Sequence, residues 1–260
     1  MSPMKDQIFY HRAYKKLART RLSNLLKFLI LVIPIDLVIA VFYFRLMRSF
    51  VGVVREILLR CGVYTQIETW PFLPYVFRDV YLLDMAVVYP SRQFALINFG
   101  VSVLVVALLP RLRIIPRPLM VWVVFVALIN TVSSAFFTLI PELFPYDIVL
   151  FSSLYMGTQL GMWLLIPLIL AIALTPLPAH ILEKLSIVVL TVIYSIAFGA
   201  VRYAAFLYVM YKSSVLYMAA MFFTFGPLFD FVYVVGIYSI YVSVMANRLQ
   251  RNQEIWRWLF

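Results

Sequence analysis

Six long apolar stretches, separated by short polar segments, dominate the pattern of hydrophobic and polar positions along the chain. A helix needs about 20 predominantly apolar residues to cross the hydrocarbon core of a bilayer. The pattern therefore predicts an all-α fold, a polytopic membrane helix bundle with about six transmembrane helices. The six stretches are residues 25–44, 94–109, 119–140, 150–175, 186–211 and 214–246.

The segment 45–92, between the first two apolar stretches, mixes charged residues with large aromatic side chains. Residues 47–60 place apolar side chains at helical spacing between charged ones, which predicts a short amphipathic helix on the membrane surface or at the end of the bundle. Trp70-Pro71 and Leu73-Pro74 predict a break in that helix. We interpret residues 76–89 as a second surface or re-entrant helix within an aromatic-rich outer segment.

Two of the apolar stretches have features that a straight, lipid-facing helix lacks. The last stretch is longer than one crossing requires, and Gly226-Pro227 in its first half predicts a kink or a broken helix. The fourth stretch begins with small and polar residues, among them Tyr155 and the polar candidate Gln159, with Gly157 and Gly161 four residues apart. This spacing favours close helix packing; a polar pocket near the outer end is the alternative.

Composition predicts a single domain, and the distribution of charge predicts its orientation in the membrane. The 260 residues are 65% hydrophobic and 13% charged, which predicts one integral membrane domain, 1–260, with short tails. With the N-terminus inside, 14 basic and 3 acidic residues lie on the inner side, against 7 and 6 outside. The positive-inside rule then predicts a basic cytoplasmic N-terminus, 1–24, and a basic cytoplasmic tail, 247–260.

The net charge of +11 is explained by this topology and by contact with anionic lipids at the cytoplasmic face, and we expect no nucleic-acid partner. The predicted location is a bacterial-type plasma (inner) membrane.

Charged side chains inside the apolar stretches are the candidates for function, because charges at that depth are costly and rare. Arg202 and Asp230 lie in consecutive, antiparallel stretches. They form either a structural ion pair or a polar site that opens to the outer face. Asp36 belongs either to a proton or cation path with Asp230, or to a hydrogen bond inside the bundle. Its candidate partners are Asn98, Asn130 and Gln159.

Cysteine and histidine usage predicts neither a metal nor a cofactor. Cys61 is the single cysteine, so an intramolecular disulfide and a cysteine-based metal cluster are excluded. We expect its lone thiol to be inert. His11 and His180 both fall near predicted cytoplasmic helix ends, which argues against a bis-histidine haem or a histidine-rich metal site.

Residues 147–245 resemble the C-terminal half of the exosortase and archaeosortase family of membrane cysteine transpeptidases, which process surface proteins. Leu154-Tyr155-Met156-Gly157 stands where the family has a Cys-Ser-Gly-like motif, and only its glycine matches. Arg202 stands at the family arginine, with Gly199 in place of the usual asparagine. Apolar groups and a threonine in Phe222–Phe225 replace a third, basic position. The resemblance therefore implies a degenerate, non-catalytic relative.

Three hypotheses follow for function. The first is a non-enzymatic subunit of a bacterial membrane assembly for secretion or surface-polymer export, which would bind other membrane protein subunits. The second is a small transporter or channel that uses Asp36, Arg202 and Asp230. The third is a degenerate exosortase-like membrane enzyme, in which Arg202 would bind a carboxylate or phosphate.

Overall fold

The structure is a computed structural model, which describes residues 21–73, 77–111, 116–177 and 179–251. Its chain divides into two compact units. Unit 1 comprises Met1–Tyr43, Met162–Ser195 and Phe231–Phe260; unit 2 comprises Phe44–Gly161 and Ile196–Asp230. These two units do not test the expectation of a single membrane domain, which stays a prediction. The predicted N-terminal tail before residue 21, most of the C-terminal tail, His11 and most of the turn at 111–117 lie outside the described residues.

Helices make up most of the described chain. They are α1 (Arg21–Arg60), α2 (Arg92–Leu108), α3 (Arg117–Leu139), α4 (Ile148–Leu174), α5 (Ile181–Lys212), α6 (Met218–Phe225) and α7 (Pro227–Arg251). Short 3-10 turns follow α2, follow α3 and precede α6. Two strands, β1 (Gln66–Leu73) and β2 (Phe77–Asp84), lie between α1 and α2.

Among the described residues, six helical segments are long and apolar enough to cross a membrane. This confirms the six apolar helices predicted from the sequence. Several large side chains on these helices are exposed, which suits helices that face lipid. The segments are Leu22–Arg60, Arg92–Arg111, Arg117–Leu139, Ile148–Leu174, Ile181–Lys212 and Val215–Arg248.

The outer segment differs from the prediction. Residues 47–60 are not a separate surface helix, because α1 continues without a break to Arg60. The predicted surface or re-entrant helix at 76–89 is also wrong, since β1 and β2 form a two-stranded antiparallel hairpin there. The apolar residues of 47–60 instead form one buried face of α1. That face includes Met47, Val51, Val54 and Leu58.

The hairpin is anchored to α4 and α5 through the backbone of Leu83. The hydroxyl of Ser152 donates to the Leu83 carbonyl oxygen at 3.1 Å. The Leu83 N–H donates to the hydroxyl of Tyr203 at 3.4 Å. Because Leu82 and Leu83 are fully buried, β2 is the inner strand. The exposed side chains of residues 66–71 make β1 the outer one.

Helices α2 and α3 form an antiparallel pair that two amide–hydroxyl hydrogen bonds hold together. The Asn98 amide donates to Ser134 Oγ at 2.7 Å, and the Asn130 amide donates to Ser102 Oγ at 3.1 Å. Each amide thus reaches across to a hydroxyl on the facing helix. Such bonds satisfy polar groups between apolar helices and fix the register of the pair.

Unit 1 has its own polar contacts. The fully buried Lys184, in the first turn of α5, donates to the Thr175 carbonyl oxygen at 3.1 Å. Its neighbour Glu183 accepts a hydrogen bond from Arg248 at 2.8 Å. These contacts tie the start of α5 to the end of α4 and to α7.

Candidate functional site

The candidate site is built around Arg202 of α5, whose side chain is only 5% exposed. All of its partners lie in unit 2: Asp230 at the start of α7, Gln159 and Tyr155 on α4, and two backbone carbonyls where α6 ends. A buried guanidinium is costly unless it is paired and hydrogen-bonded, so the number and geometry of these partners decide what the site can do.

Asp230 pairs with Arg202 through two parallel hydrogen bonds. Nη1 donates to Oδ1 and Nη2 donates to Oδ2, each at 3.0 Å. This bidentate arrangement is the strong form of the arginine–carboxylate pair. The Asp230 side chain is 1% exposed, so the two charges neutralise each other away from water.

The break between α6 and α7 supplies further acceptors. Pro227 begins α7 and has no backbone N–H, and the last carbonyls of α6 have no partners within that helix. Nη1 of Arg202 donates to the carbonyl oxygens of Phe225 at 3.1 Å and Gly226 at 2.9 Å. A cation at the end of α6 and the Asp230 carboxylate in the first turn of α7 both complement the helix dipoles.

Gly226 is required at this break. A Cβ built on Gly226 would collide with the backbone carbonyl oxygen of Phe222, which cannot move away as a flexible side chain could. The Gly226 N–H donates to that same oxygen at 3.1 Å. The broken helix predicted from Gly226-Pro227 is confirmed, and the sharp turn aims two carbonyls at Arg202.

Helix α4 completes the set of acceptors. Nη2 of Arg202 donates to Gln159 Oε1 at 2.8 Å, and Nε donates to the Tyr155 hydroxyl at 3.1 Å. That hydroxyl in turn donates to the Gly199 carbonyl oxygen at 2.9 Å. A guanidinium has five N–H donors, and each of its three nitrogens is engaged here. The hydrogen-bonding capacity of Arg202 is therefore used entirely within the protein.

Aromatic rings and a glycine shape the space around the guanidinium. Its central carbon lies 5.6 Å from the ring centres of Tyr155 and Phe198, within the range of cation–π attraction. A Cβ on Gly199 would lie 2.9 Å from the Gln159 amide. Gly199 therefore leaves room for the Gln159 side chain to reach Arg202.

Of the four polar candidates from the sequence, the structure joins Arg202, Asp230 and Gln159. Asp36 belongs to unit 1, and its Oδ1 atom is buried without a hydrogen-bond partner among the described residues. The three amides considered as partners for Asp36 bond elsewhere: Asn98 to Ser134, Asn130 to Ser102, and Gln159 to Arg202.

Sequence reasoning did not assign roles to Tyr155 or to the carbonyls of Phe225 and Gly226. Tyr155 is one polar residue among several at the start of α4, and no feature of the sequence predicts its hydrogen bond to Arg202. The carbonyls could have been anticipated, because a helix broken by Gly-Pro leaves acceptors for a nearby buried cation.

The remaining candidates are not among the described hydrogen-bond partners of Arg202. Cys61 is exposed in the turn after α1, and His180 is exposed just before α5. Within the described ranges, no group of three or more His, Cys, Asp or Glu residues could hold a metal ion.

Comparisons of the chain with known protein families, with curated proteins and with solved structures found no match.

Proposed function

We propose that the chain is a multi-pass protein of a bacterial-type plasma membrane, with both termini in the cytoplasm, and a non-enzymatic subunit of an assembly for secretion or surface-polymer export. One observation carries the proposal. Arg202 uses its hydrogen-bonding capacity on Asp230, Gln159, Tyr155 and backbone carbonyls. A catalytic or substrate-binding arginine needs donors aimed at the ligand, whereas this one clamps helices together.

The distribution of charge supports the orientation, with 14 of the 22 basic residues on the inner side of this topology. Anionic lipid at the cytoplasmic face is the expected lipid contact. The hairpin then lies on the outer side, where its exposed strand β1 is a surface for a partner subunit. Reporter fusions after residue 260 and within residues 60–70 test the orientation; a C-terminal fusion active only outside the cytoplasm contradicts it.

Crosslinking in cells, followed by purification in mild detergent, tests the subunit role. We expect tagged full-length protein to retain one or more membrane proteins at a fixed stoichiometry. The Gly236→Ala variant is a suitable control, because the added Cβ meets no atom within 4 Å. A monodisperse monomer without any crosslinked partner contradicts the proposal.

A transporter role is the second candidate, and the buried Oδ1 atom of Asp36 favours it. A carboxylate oxygen without a partner among the described residues is the kind of group that takes up a proton or a cation inside a membrane. Proton or cation flux into liposomes that contain the purified protein tests this role. Flux that is unchanged by Asp36→Asn contradicts it.

The exosortase resemblance remains a proposal, and one contact favours it. Tyr155 lies in the tetrapeptide that stands at the family cysteine motif, and its hydroxyl accepts a hydrogen bond from Arg202, which stands at the family arginine. Neither residue is a thiol nucleophile, so the proposal is a relative that has lost transpeptidation. Cleavage of a surface-protein substrate by the purified protein would contradict it.

A further inference from the structure

A small polar pocket lies at the open end of the hairpin, where β1 begins and β2 ends. Its volume is about 400 Å³, and it belongs entirely to unit 2. None of its lining residues takes part in the Arg202 site. They are Tyr64, Thr65, Gln66, Asp84, Met85 and Ala86.

Thr65 contributes a hydroxyl with unused hydrogen-bonding capacity. The residue is 7% exposed, and its Oγ1 atom is buried without a hydrogen-bond partner among the described residues. Buried polar atoms in native proteins nearly always have a partner, so an exception calls for an explanation. A ligand in the adjoining pocket would provide one if the Thr65 side chain turned its hydroxyl toward the pocket.

Asp84 contributes a carboxylate that has no ion pair with any part of the chain that the structure describes. It faces Gln66 directly across the two strands. Glu68, two residues further along β1, lies on the same face of the hairpin and is exposed. Val80 and Leu82 on the same face are fully buried, so in a chain of net charge +11 these two carboxylates are what would attract a cation to the pocket.

We propose that this pocket binds a primary ammonium group, presented by a lysine side chain in an extended segment of a partner protein. An ammonium has three N–H donors and no acceptor. The Asp84 carboxylate and the Gln66 amide oxygen are acceptors at the pocket, and the proposal includes a rotation of Thr65 about χ1 that exposes its hydroxyl as a third acceptor. Met85 and the exposed ring of Tyr64 flank the alkyl stem.

Strand β1 explains why the ammonium is presented by an extended segment. Its ladder partner among the described residues is β2, and the side chains of residues 66–71 are exposed. The outer edge of such a strand can pair with an added strand, with alternate side chains of that strand on the pocket face. This inference rests on the proposed role as a subunit, because it names the surface that meets the partner.

Fluorescence anisotropy of labelled peptides, with full-length protein in detergent micelles, tests the site. The probe is a five-residue peptide with a central lysine flanked by β-branched residues. The control peptide has acetyl-lysine at the same position. We expect the lysine peptide to bind at least about tenfold more tightly, because a hydrogen bond between charged groups is lost on acetylation. Asp84→Asn should weaken the lysine peptide by a similar factor, and Thr65→Val by less.

Asp79→Asn is the matched control. Asp79 is an exposed carboxylate of the same strand, but its register partner is Pro71 and it lies on the opposite face. Binding should be unchanged in this variant. Equal weakening by Asp79→Asn and Asp84→Asn overturns the proposal, and so does equal binding of the two peptides or no binding at all.

Competition with butylamine tests whether the pocket binds any primary amine or requires a lysine within an extended segment. We expect it to compete only at concentrations far above those of the peptide; equal potency overturns the strand-pairing part of the proposal. If a partner is retained at fixed stoichiometry by both the wild type and Asp84→Asn, the ammonium site fails while the subunit role stands. If no partner is found at all, the result contradicts the subunit role, and the peptide measurements alone then decide the ammonium site.

Discussion

Arg202 and Asp230 face each other end on, with two hydrogen bonds of 3.0 Å between them. Breaking such a buried pair on one side leaves an uncompensated charge, whereas replacing both partners with apolar residues often costs little. The same guanidinium also holds the carbonyls at the break between α6 and α7 and the Gln159 amide. It therefore joins α4, α5 and the broken helix in one clamp.

Lysine should not replace arginine in this clamp. Arg202→Lys keeps the positive charge but offers three donors instead of five, without the planar fork that matches a carboxylate. We expect the free energy of unfolding in detergent micelles to fall by about 1–3 kcal/mol. Lys212→Arg, an exposed basic exchange near the end of the same helix, should change it by less than about 0.5 kcal/mol. Equal stability of the two variants would show that charge alone holds the clamp.

Gly226 should tolerate substitution poorly. Gly226→Ala places a methyl group against the Phe222 carbonyl, and we expect a loss of at least about 2 kcal/mol, measured by thermal or denaturant unfolding. Gly236→Ala, ten residues further along and in open space, should be neutral or stabilising by up to about 1 kcal/mol. If Gly226→Ala left the stability unchanged, the sharp turn at Gly226 would not be needed to direct the Phe225 and Gly226 carbonyls at Arg202.

Substitution of Gly199 should lower the stability through its effect on the Gln159 side chain. Gly199→Ala pushes on the Gln159 amide and should weaken its hydrogen bond to Arg202, at a cost of about 1 kcal/mol. In the background of Gln159→Ala, the same substitution should cost much less. Gly161→Ala, where a Cβ meets nothing within 4 Å, serves as the control on α4. An equal cost of Gly199→Ala in both backgrounds would place its effect elsewhere.

The two amide–hydroxyl bonds between α2 and α3 should act as separate pairs. Double-mutant cycles on Asn98 with Ser134 and on Asn130 with Ser102 should each give a coupling of about 0.6 kcal/mol, the average for such bonds in a helical membrane protein. A cycle on Asn98 with Ser102, which lie on the same helix without a bond between them, should give less. Couplings near zero for the bonded pairs would show that the apolar contacts alone set the register.

The helices were predictable because long apolar runs report directly on the environment of the chain. The broken helix was also predictable, since Gly226-Pro227 combines a residue without a Cβ and a residue without an N–H. For Asp230 and Arg202, the rarity of charges in apolar helices was a sufficient signal for the pair.

The hairpin could not be predicted by the same reasoning. Arg45, Arg48 and Arg55 suggested that the first membrane helix ended near residue 44, although the apolar face of α1 continues to Leu58. Trp70-Pro71 suggested a helix break, while Pro71 is compatible with the outer strand of a hairpin. The alternation in 66–84 is weak, because Leu82 and Leu83 are adjacent and both buried. The β-branched and aromatic residues of this segment were the available signal.

A double-mutant cycle on Arg202 and Asp230 tests the central claim, that this pair is a structural clamp. Unfolding in detergent micelles would be measured for Arg202→Leu, Asp230→Leu and the double variant. Breaking a buried pair costs on the order of 3–5 kcal/mol in soluble proteins, and we expect less here because water and snorkelling relieve part of the cost. Each single variant should lose stability and the double variant should recover part of the loss. Additive losses would contradict the clamp.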